Sequence, residues 1–146
     1  MSIESKLAEL GIALPDAPAP AANYVPYVIS GNMLFVSGQI SALKGRLGDD
    51  VSVDQGAEAA RGCGLSLLAQ AKAALGSLDR VARVVKLGGF VNSTADFTDQ
   101  PEVINGCSNL MVEVFGDKGR HARAAVSSPA LPRGVAVEIE AIFEIA

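Results

Sequence analysis

Residues 119–146, GRHARAAVSSPALPRGVAVEIEAIFEIA, decide the fold because they predict two strands joined by a turn that contains two prolines. In the second strand, apolar residues alternate with Glu138, Glu140 and others, and this period of two gives the strand one apolar face. In the first strand, Arg123 lies among small apolar residues. The two carboxylates therefore project from the face of the predicted sheet that the core does not use.

Arg123 has two interpretations on this pattern. A guanidinium among small apolar side chains is either paired with a carboxylate, here Glu138 or Glu140, or kept free to bind an anion with its planar fork. Glu138 and Glu140, in turn, are either ordinary surface charges or part of a cleft. Both alternatives stay open, and this C-terminal stretch is where we expect the chemistry.

The composition of the chain bounds what it can do. Its 146 residues are enough for one domain with a real core. The net charge of -4 disfavours a nucleic-acid partner, because phosphate neutralisation needs clustered Lys and Arg. Apolar runs stay well short of the ~20 residues that cross a bilayer. The N-terminus predicts a short polar helix, not a signal peptide, so we expect a cytoplasmic protein without a membrane partner.

Cofactor and nucleophile chemistry have little support in the sequence. Cys63 and Cys107 fall in predicted helices without C-x-x-C spacing, which indicates reduced, buried packing residues. His121 is the single histidine, so neither a metal site nor a nucleophilic triad is expected. Between Arg120 and Arg123, its protonation is disfavoured, which favours a loop residue with a hydrogen-bonding role.

The pattern along the chain predicts an α+β, ferredoxin-like domain with a mixed sheet and two main helices on one face. Residues 1–22 form a helix and a Pro/Ala-rich linker, and residues 23–146 form the domain itself. The uncovered sheet face favours self-association. The chain begins with a helix capped by Ser2, and a hairpin of strands 24–30 and 33–40 follows. A second helix runs from the capping box at 52–55 to about Leu75, and a strand at 81–91 has a bulge or a close approach at Gly88 and Gly89. A helix around Pro101 that ends at Gly116 and the two C-terminal strands complete the predicted elements.

Several motifs together resemble the RidA/YjgF family of small imine deaminases, also catalogued as L-PSP endoribonucleases. They are PYV at 26–28, GNMLFVSGQI at 31–40, the helix that carries Asn105, ARAAV at 122–126, LP at 131–132 and VEIEAI at 137–142. The resemblance runs from Pro26 to the C-terminus. The N-terminal helix and the extra residues at 98–101 are similar to a longer subgroup of the family.

The resemblance implies a chorismate-mutase-like fold and a homotrimer, with a central barrel and ligand clefts between subunits. It implies hydrolysis of reactive enamines and imines, such as 2-aminoacrylate, to 2-oxo acids and ammonia without a cofactor. By the same resemblance, Arg123 holds the substrate carboxylate and Glu138 positions or activates water. The remaining implied site residues are Tyr27, Ser37 and Gly38, which line the cleft, Asn105, which supports it, and Ala125, which stands where deaminase members often carry cysteine.

Two other functions compete with deamination. A non-catalytic module that binds small carboxylates, as a regulator or chaperone, would need Arg123 but not Glu138. Endoribonuclease activity would need a basic groove and stacking aromatic residues, whereas the chain has no tryptophan, two tyrosines and five phenylalanines. The ligand that the resemblance implies is a small 2-imino or 2-oxo acid.

Overall fold

The computed structural model describes residues 1–20 and 22–146. Within these residues the helices and strands are α1 (Ile3–Glu9), β1 (Tyr27–Ser30), β2 (Met33–Ile40), α2 (Val53–Leu75), β3 (Val81–Asn92), α3 (Gln100–Phe115), β4 (Ala122–Ser128) and β5 (Val137–Ile145). The strands form one mixed sheet in the order β1-β2-β5-β3-β4, in which β3 and β4 are parallel and the other pairs are antiparallel. The predicted element order and the α+β class are confirmed.

Local signals in the sequence fix where the helices begin and end. The Ser52 hydroxyl accepts a hydrogen bond from the Gln55 N–H, and the Gln55 side chain accepts one from the Ser52 N–H, so the predicted capping box is present. Gly76 ends α2 with a φ of 81°, in the left-handed region that favours glycine. Ser2 is the N-cap of α1, and its hydroxyl accepts a hydrogen bond from the Ser5 N–H.

Both long helices pack on one face of the sheet. On β5, Val137, Ile139, Ala141 and Phe143 are at most 3% exposed and belong to the core between the sheet and the helices. The alternation predicted for this strand is therefore confirmed. The opposite face, which we call the open face, carries Glu138 and Glu140 together with the exposed side chains Val28, Phe35, Ile40 and Val126.

Two details of the strands differ from the prediction. β1 begins at Tyr27 and not at residue 24, because Pro26 has no N–H to add to the ladder. The predicted bulge at Gly88 and Gly89 is absent, since both residues pair with β4 and β5 without interruption. The alternative of a close approach is correct: a Cβ on Gly89 would lie 2.7 Å from Ile104, and one on Gly88 would lie 2.9 Å from Glu140.

The two cysteines are free and buried, as predicted. Burial raises the pKa of the Cys63 thiol to about 12, and the nearby charge of Glu138 acts in the same direction. Burial also raises the pKa of Cys107. Both thiols are therefore protonated packing groups at neutral pH. Among the described residues, no helix is both long and apolar enough to cross a membrane.

Candidate functional site

Arg123 lies on the edge strand β4 and points to the helix-covered side of the sheet, where α3 holds it. Its Nη1 donates to Asn105 Oδ1 at 2.8 Å and to Ser108 Oγ at 3.0 Å, and its Nη2 donates to the Pro101 carbonyl at 3.3 Å. All three acceptors are neutral. Within residues 1–20 and 22–146 the side-chain ion pairs are Arg61–Glu113 and Arg120–Asp117, so no carboxylate neutralises the Arg123 charge.

Arg123 keeps donors that its contacts with α3 do not use. A guanidinium has five N–H groups, and these contacts occupy three of them. The Nε–H and one Nη2–H take no part in these contacts, and a guanidinium can bind a carboxylate through two parallel hydrogen bonds. Of the two interpretations of Arg123 that the sequence left open, pairing with Glu138 or Glu140 does not occur within one chain.

Ser108 connects Arg123 to His121. His121 Nδ1 lies 2.6 Å from the Gly119 carbonyl, which can only accept, so Nδ1 carries the proton. His121 Nε2 then accepts from Ser108 Oγ at 2.8 Å, and Ser108 in turn accepts from Arg123. Burial lowers the pKa of His121 and the Arg123 charge acts in the same direction, although the Gly119 hydrogen bond opposes them. The predicted loop position and hydrogen-bonding role of His121 are confirmed.

Glu138 lies on the open face of β5, beside an irregularity in β2. The register of the β2–β5 pair shifts between Val36 and Gln39, so Ser37 and Gly38 form a bulge. Gly38 lies directly against the carboxylate, and any Cβ at this position would collide with Glu138 Oε2. Burial of the half-exposed side chain raises the pKa of Glu138, and the neighbouring Glu140 charge raises it further.

A cavity of about 630 Å³ opens beside Glu138. Much of its wall comes from the linker between α1 and β1, and its floor comes from the sheet. The lining includes Pro18, Ala19, Pro20, Ala22 and Tyr24 of the linker, Ser37, Gly38 and Ile40 of β2, and Gln70, Arg133, Glu138 and Glu140. The linker that follows α1 therefore forms part of the cavity lining.

The residues predicted for the site fall into separate places in one chain. Asn105 contacts Arg123, and Ala125 lies two residues further along the same face of β4, packed against the core. Ser37, Gly38 and Glu138 line the cavity. Tyr27 is on β1, at the opposite edge of the sheet, and packs against the core.

The predicted pair of Arg123 and Glu138 does not form within one chain, because the two side chains lie on opposite faces of the sheet. Arg123 pairs with Leu87 of β3, and Leu87 pairs with the buried Ala141 of β5, so Arg123 is on the helix-covered face. Glu138, by contrast, pairs with Phe90 of β3, and both side chains are on the open face because successive residues of a strand point to opposite faces. Among the described residues, no group of three or more His, Cys, Asp or Glu side chains is placed to hold a metal ion.

The structure is thus a small α+β domain with an arginine that no carboxylate neutralises at one sheet edge and a half-buried carboxylate beside a cavity on the other face. A family model described as "YjgF/chorismate_mutase-like, putative endoribonuclease" matches residues 4–143. The chain belongs to this YjgF/RidA family. The match begins at residue 4, before Pro26, where the sequence motifs begin.

Individual relatives agree with this assignment. The chain is 51% identical to Protein TCP17 of Trypanosoma cruzi, over 98% of this chain and 94% of that protein. It is also 51% identical to Atu1372 of Agrobacterium tumefaciens, a protein of unknown function, with a TM-score of 0.91 over 99% of this chain and 92% of that one. The structure of E. coli TdcF with bound serine is 26% identical, with a TM-score of 0.65 over 89% and 94% of the two chains.

Proposed function

We propose that the protein hydrolyses 2-imino acids to 2-oxo acids and ammonia, at sites shared between two copies of the chain in a homotrimer. The observation that carries the proposal is the Arg123 guanidinium, which three neutral acceptors fix in place and no carboxylate neutralises. A fixed, uncompensated fork binds and orients a small carboxylate. TdcF, a member of the same structural group, binds serine, a small amino acid with such a carboxylate.

Glu138 supplies the second half of the reaction. The carboxylate accepts a proton from water as the water oxygen bonds to the C=N carbon, and it returns that proton to the nitrogen. In the resulting carbinolamine, Glu138 takes the remaining proton from the O–H group and delivers it to the amine nitrogen. The C–N bond then breaks, ammonia leaves, and the former water oxygen becomes the carbonyl oxygen of the 2-oxo acid. The raised pKa of Glu138 makes it a stronger base than an exposed carboxylate. The step is redox-neutral.

The need for a second copy follows from the positions of the two groups. Arg123 lies at the β4 edge on the helix-covered face, whereas Glu138 lies on the open face and Tyr27 lies at the β1 edge. A substrate of a few atoms cannot reach both groups through the sheet. In the proposed trimer, the β4 edge of one copy packs against the open face of the next, which brings Arg123 of the first beside Glu138 of the second and covers the exposed apolar residues of that face.

The test is a coupled assay in which an amino-acid oxidase produces the imine and semicarbazide traps it. We expect the protein to suppress semicarbazone formation. Arg123→Ala removes the charge-assisted hydrogen bonds and should lower kcat/KM by about 100-fold. Glu138→Gln should lower kcat by about 100-fold or more through loss of the base. Arg120→Ala, which removes an exposed neighbouring arginine, is the matched control and should keep full activity.

The rival function is binding of small carboxylates without catalysis. It is favoured by the fact that the Arg123 anion site is complete on β4 and α3, without Glu138. Calorimetry with 2-oxobutanoate separates the two. If the unmodified protein binds this acid but never suppresses trapping, and Glu138→Gln binds it equally well, the protein is a binding module and the deaminase proposal is wrong.

A further inference from the structure

The N-terminal segment is fixed firmly to the domain at its start. The Leu78 N–H donates to Glu4 Oε1 at 2.8 Å, and the Ile3 N–H donates to Asp79 Oδ1 at 2.6 Å. Leu7 of α1 is 4% exposed and belongs to the main core. The linker that follows therefore leaves α1 from a defined position.

A second anchor holds the linker over the cavity. Gln70 of α2 is 1% exposed, and its Nε2 donates to the Pro18 carbonyl at 2.6 Å. The same nitrogen lies 3.4 Å from Gln39 Oε1, while Gln39 Nε2 donates to the Ser37 carbonyl at 2.9 Å. Buried amides thus connect the linker to the bulge beside Glu138. Because an unpaired buried amide is costly, these contacts stabilise the linker in its position over the cavity.

The cavity beneath the linker has a consistent chemical character. Its walls are formed by prolines, alanines, Tyr24 and Ile40, which suit an apolar group. Its lining also carries the carboxylates of Glu138 and Glu140 and one cation, Arg133, so the net charge is negative and disfavours a second carboxylate. A volume of about 630 Å³ lies within the usual range for small-molecule sites and exceeds what the reacting atoms of a three-carbon imino acid fill.

We propose that the linker residues Pro18, Ala19, Pro20, Ala22 and Tyr24, which we call the strap, form the wall of a side-chain pocket that selects 2-imino acids with large apolar side chains. This inference rests on the proposed function, because it places the C=N carbon at Glu138 and the substrate side chain under the strap. The preferred substrates are the imines of leucine, methionine and phenylalanine. The imines of alanine and glutamate are poor substrates. The first leaves the pocket empty, and the second brings a carboxylate into a lining whose net charge, from Glu138, Glu140 and Arg133, is negative.

The first measurement is the ranking of kcat/KM in the semicarbazide assay for imines of leucine, methionine, phenylalanine, alanine and glutamate. We expect the leucine imine to exceed the alanine imine by at least about tenfold, since each carbon that fills an apolar pocket adds to transition-state binding. Equal values for the two imines, or a preference for the glutamate imine, would overturn the inference and leave the proposed deaminase function intact.

The second measurement narrows the pocket. Ala19→Phe places a ring under the strap and should lower kcat/KM for the leucine imine at least about tenfold, with the alanine imine unchanged. Ala17→Phe is the matched control, because Ala17 is an exposed linker residue outside the cavity lining. A parallel loss for both imines in Ala19→Phe, or the same selective loss in Ala17→Phe, would contradict a role for the strap in selectivity.

A binding measurement decides the inference even if no imine is hydrolysed. Calorimetry compares 4-methyl-2-oxopentanoate, the oxo acid related to leucine, with pyruvate. Tighter binding of the larger acid, lost in Ala19→Phe and retained in Ala17→Phe, supports the pocket independently of catalysis. Equal affinities of the unmodified protein for the two acids would show that the strap does not select for side-chain size.

Discussion

Ser108 determines how Arg123 is presented, because its hydroxyl accepts from Nη1 and donates to His121 Nε2. This arrangement orients the guanidinium without cancelling its charge, which a carboxylate partner would do. Asn105 was identifiable from the sequence through its family motif, whereas Ser108 was missed. A serine three residues further along a helix becomes informative only when the position of β4 against α3 is known.

NMR can measure the tautomer and the pKa of His121 without signal overlap, since it is the single histidine. We expect 15N shifts of the Nδ1–H tautomer and titration below the ordinary pKa of about 6.5. Because the folded pKa is lowered, the neutral form contributes stability above pH ~6.5, and this contribution is lost as the pH falls through the folded value.

Ser108→Ala supplies the control for that measurement. It removes the hydrogen bond that favours neutral His121, so the pKa of the ring should rise. Urea unfolding between pH 8 and 5 should then show less loss of stability at low pH for the variant than for the unmodified protein. An Nε2–H tautomer, or titration above the ordinary value in the unmodified protein, would contradict the hydrogen-bond chain.

Among the secondary-structure elements, the bulge in β2 brings the backbone at Gly38 against the carboxylate of Glu138. The sequence indicated special backbone at Gly88 and Gly89, where the reason proved to be contact with Ile104 and Glu140. It did not indicate a bulge at Gly38, since one glycine in a strand is compatible with many roles. Which side chain approaches a glycine depends on tertiary packing, and local pattern does not encode it.

Gly38→Ala should separate activity from stability. The added Cβ displaces the end of the Glu138 side chain, which can rotate into the cavity, so the free energy of unfolding should change by less than about 1 kcal/mol. Imine hydrolysis should fall at least about tenfold, because the base is moved from its position.

Gly62→Ala is the matched glycine variant. Gly62 is an exposed α2 residue with open space around its Cβ position, and alanine there should add about 0.5–1 kcal/mol of stability with activity unchanged. Full activity in Gly38→Ala would mean that the carboxylate position beside the bulge has no catalytic importance.

At the scale of the whole molecule, the sheet separates the groups that the proposed reaction needs. Sequence patterns predicted the elements, their order and the apolar face of β5, because caps, turns and alternation are local signals. They did not predict that Arg123 and Glu138 lie on opposite faces. That relation depends on the register of β4 with β3 and of β3 with β5, and each register is set by long-range packing.

Shared sites predict that two inactive variants restore each other. Arg123→Ala and Glu138→Gln, coexpressed with different tags and purified through both, form mixed assemblies. In a cyclic trimer of this kind one of the three sites combines an intact Arg123 with an intact Glu138 from its neighbour, so about one third of the normal activity should return. Assemblies of either variant alone should stay inactive. Mixed assemblies without activity would mean that Arg123 and Glu138 of neighbouring copies do not form a shared site.

The anchor of the strap has a consequence for how this protein diverges. Gln70 binds the main-chain carbonyl of Pro18, an atom that every amino acid supplies. Substitutions at Ala19 or Pro20 therefore alter the shape above Glu138 and leave the attachment itself in place. Under the proposed role of the strap, we therefore expect that changes in the linker alter substrate preference without changes in the sheet or the helices.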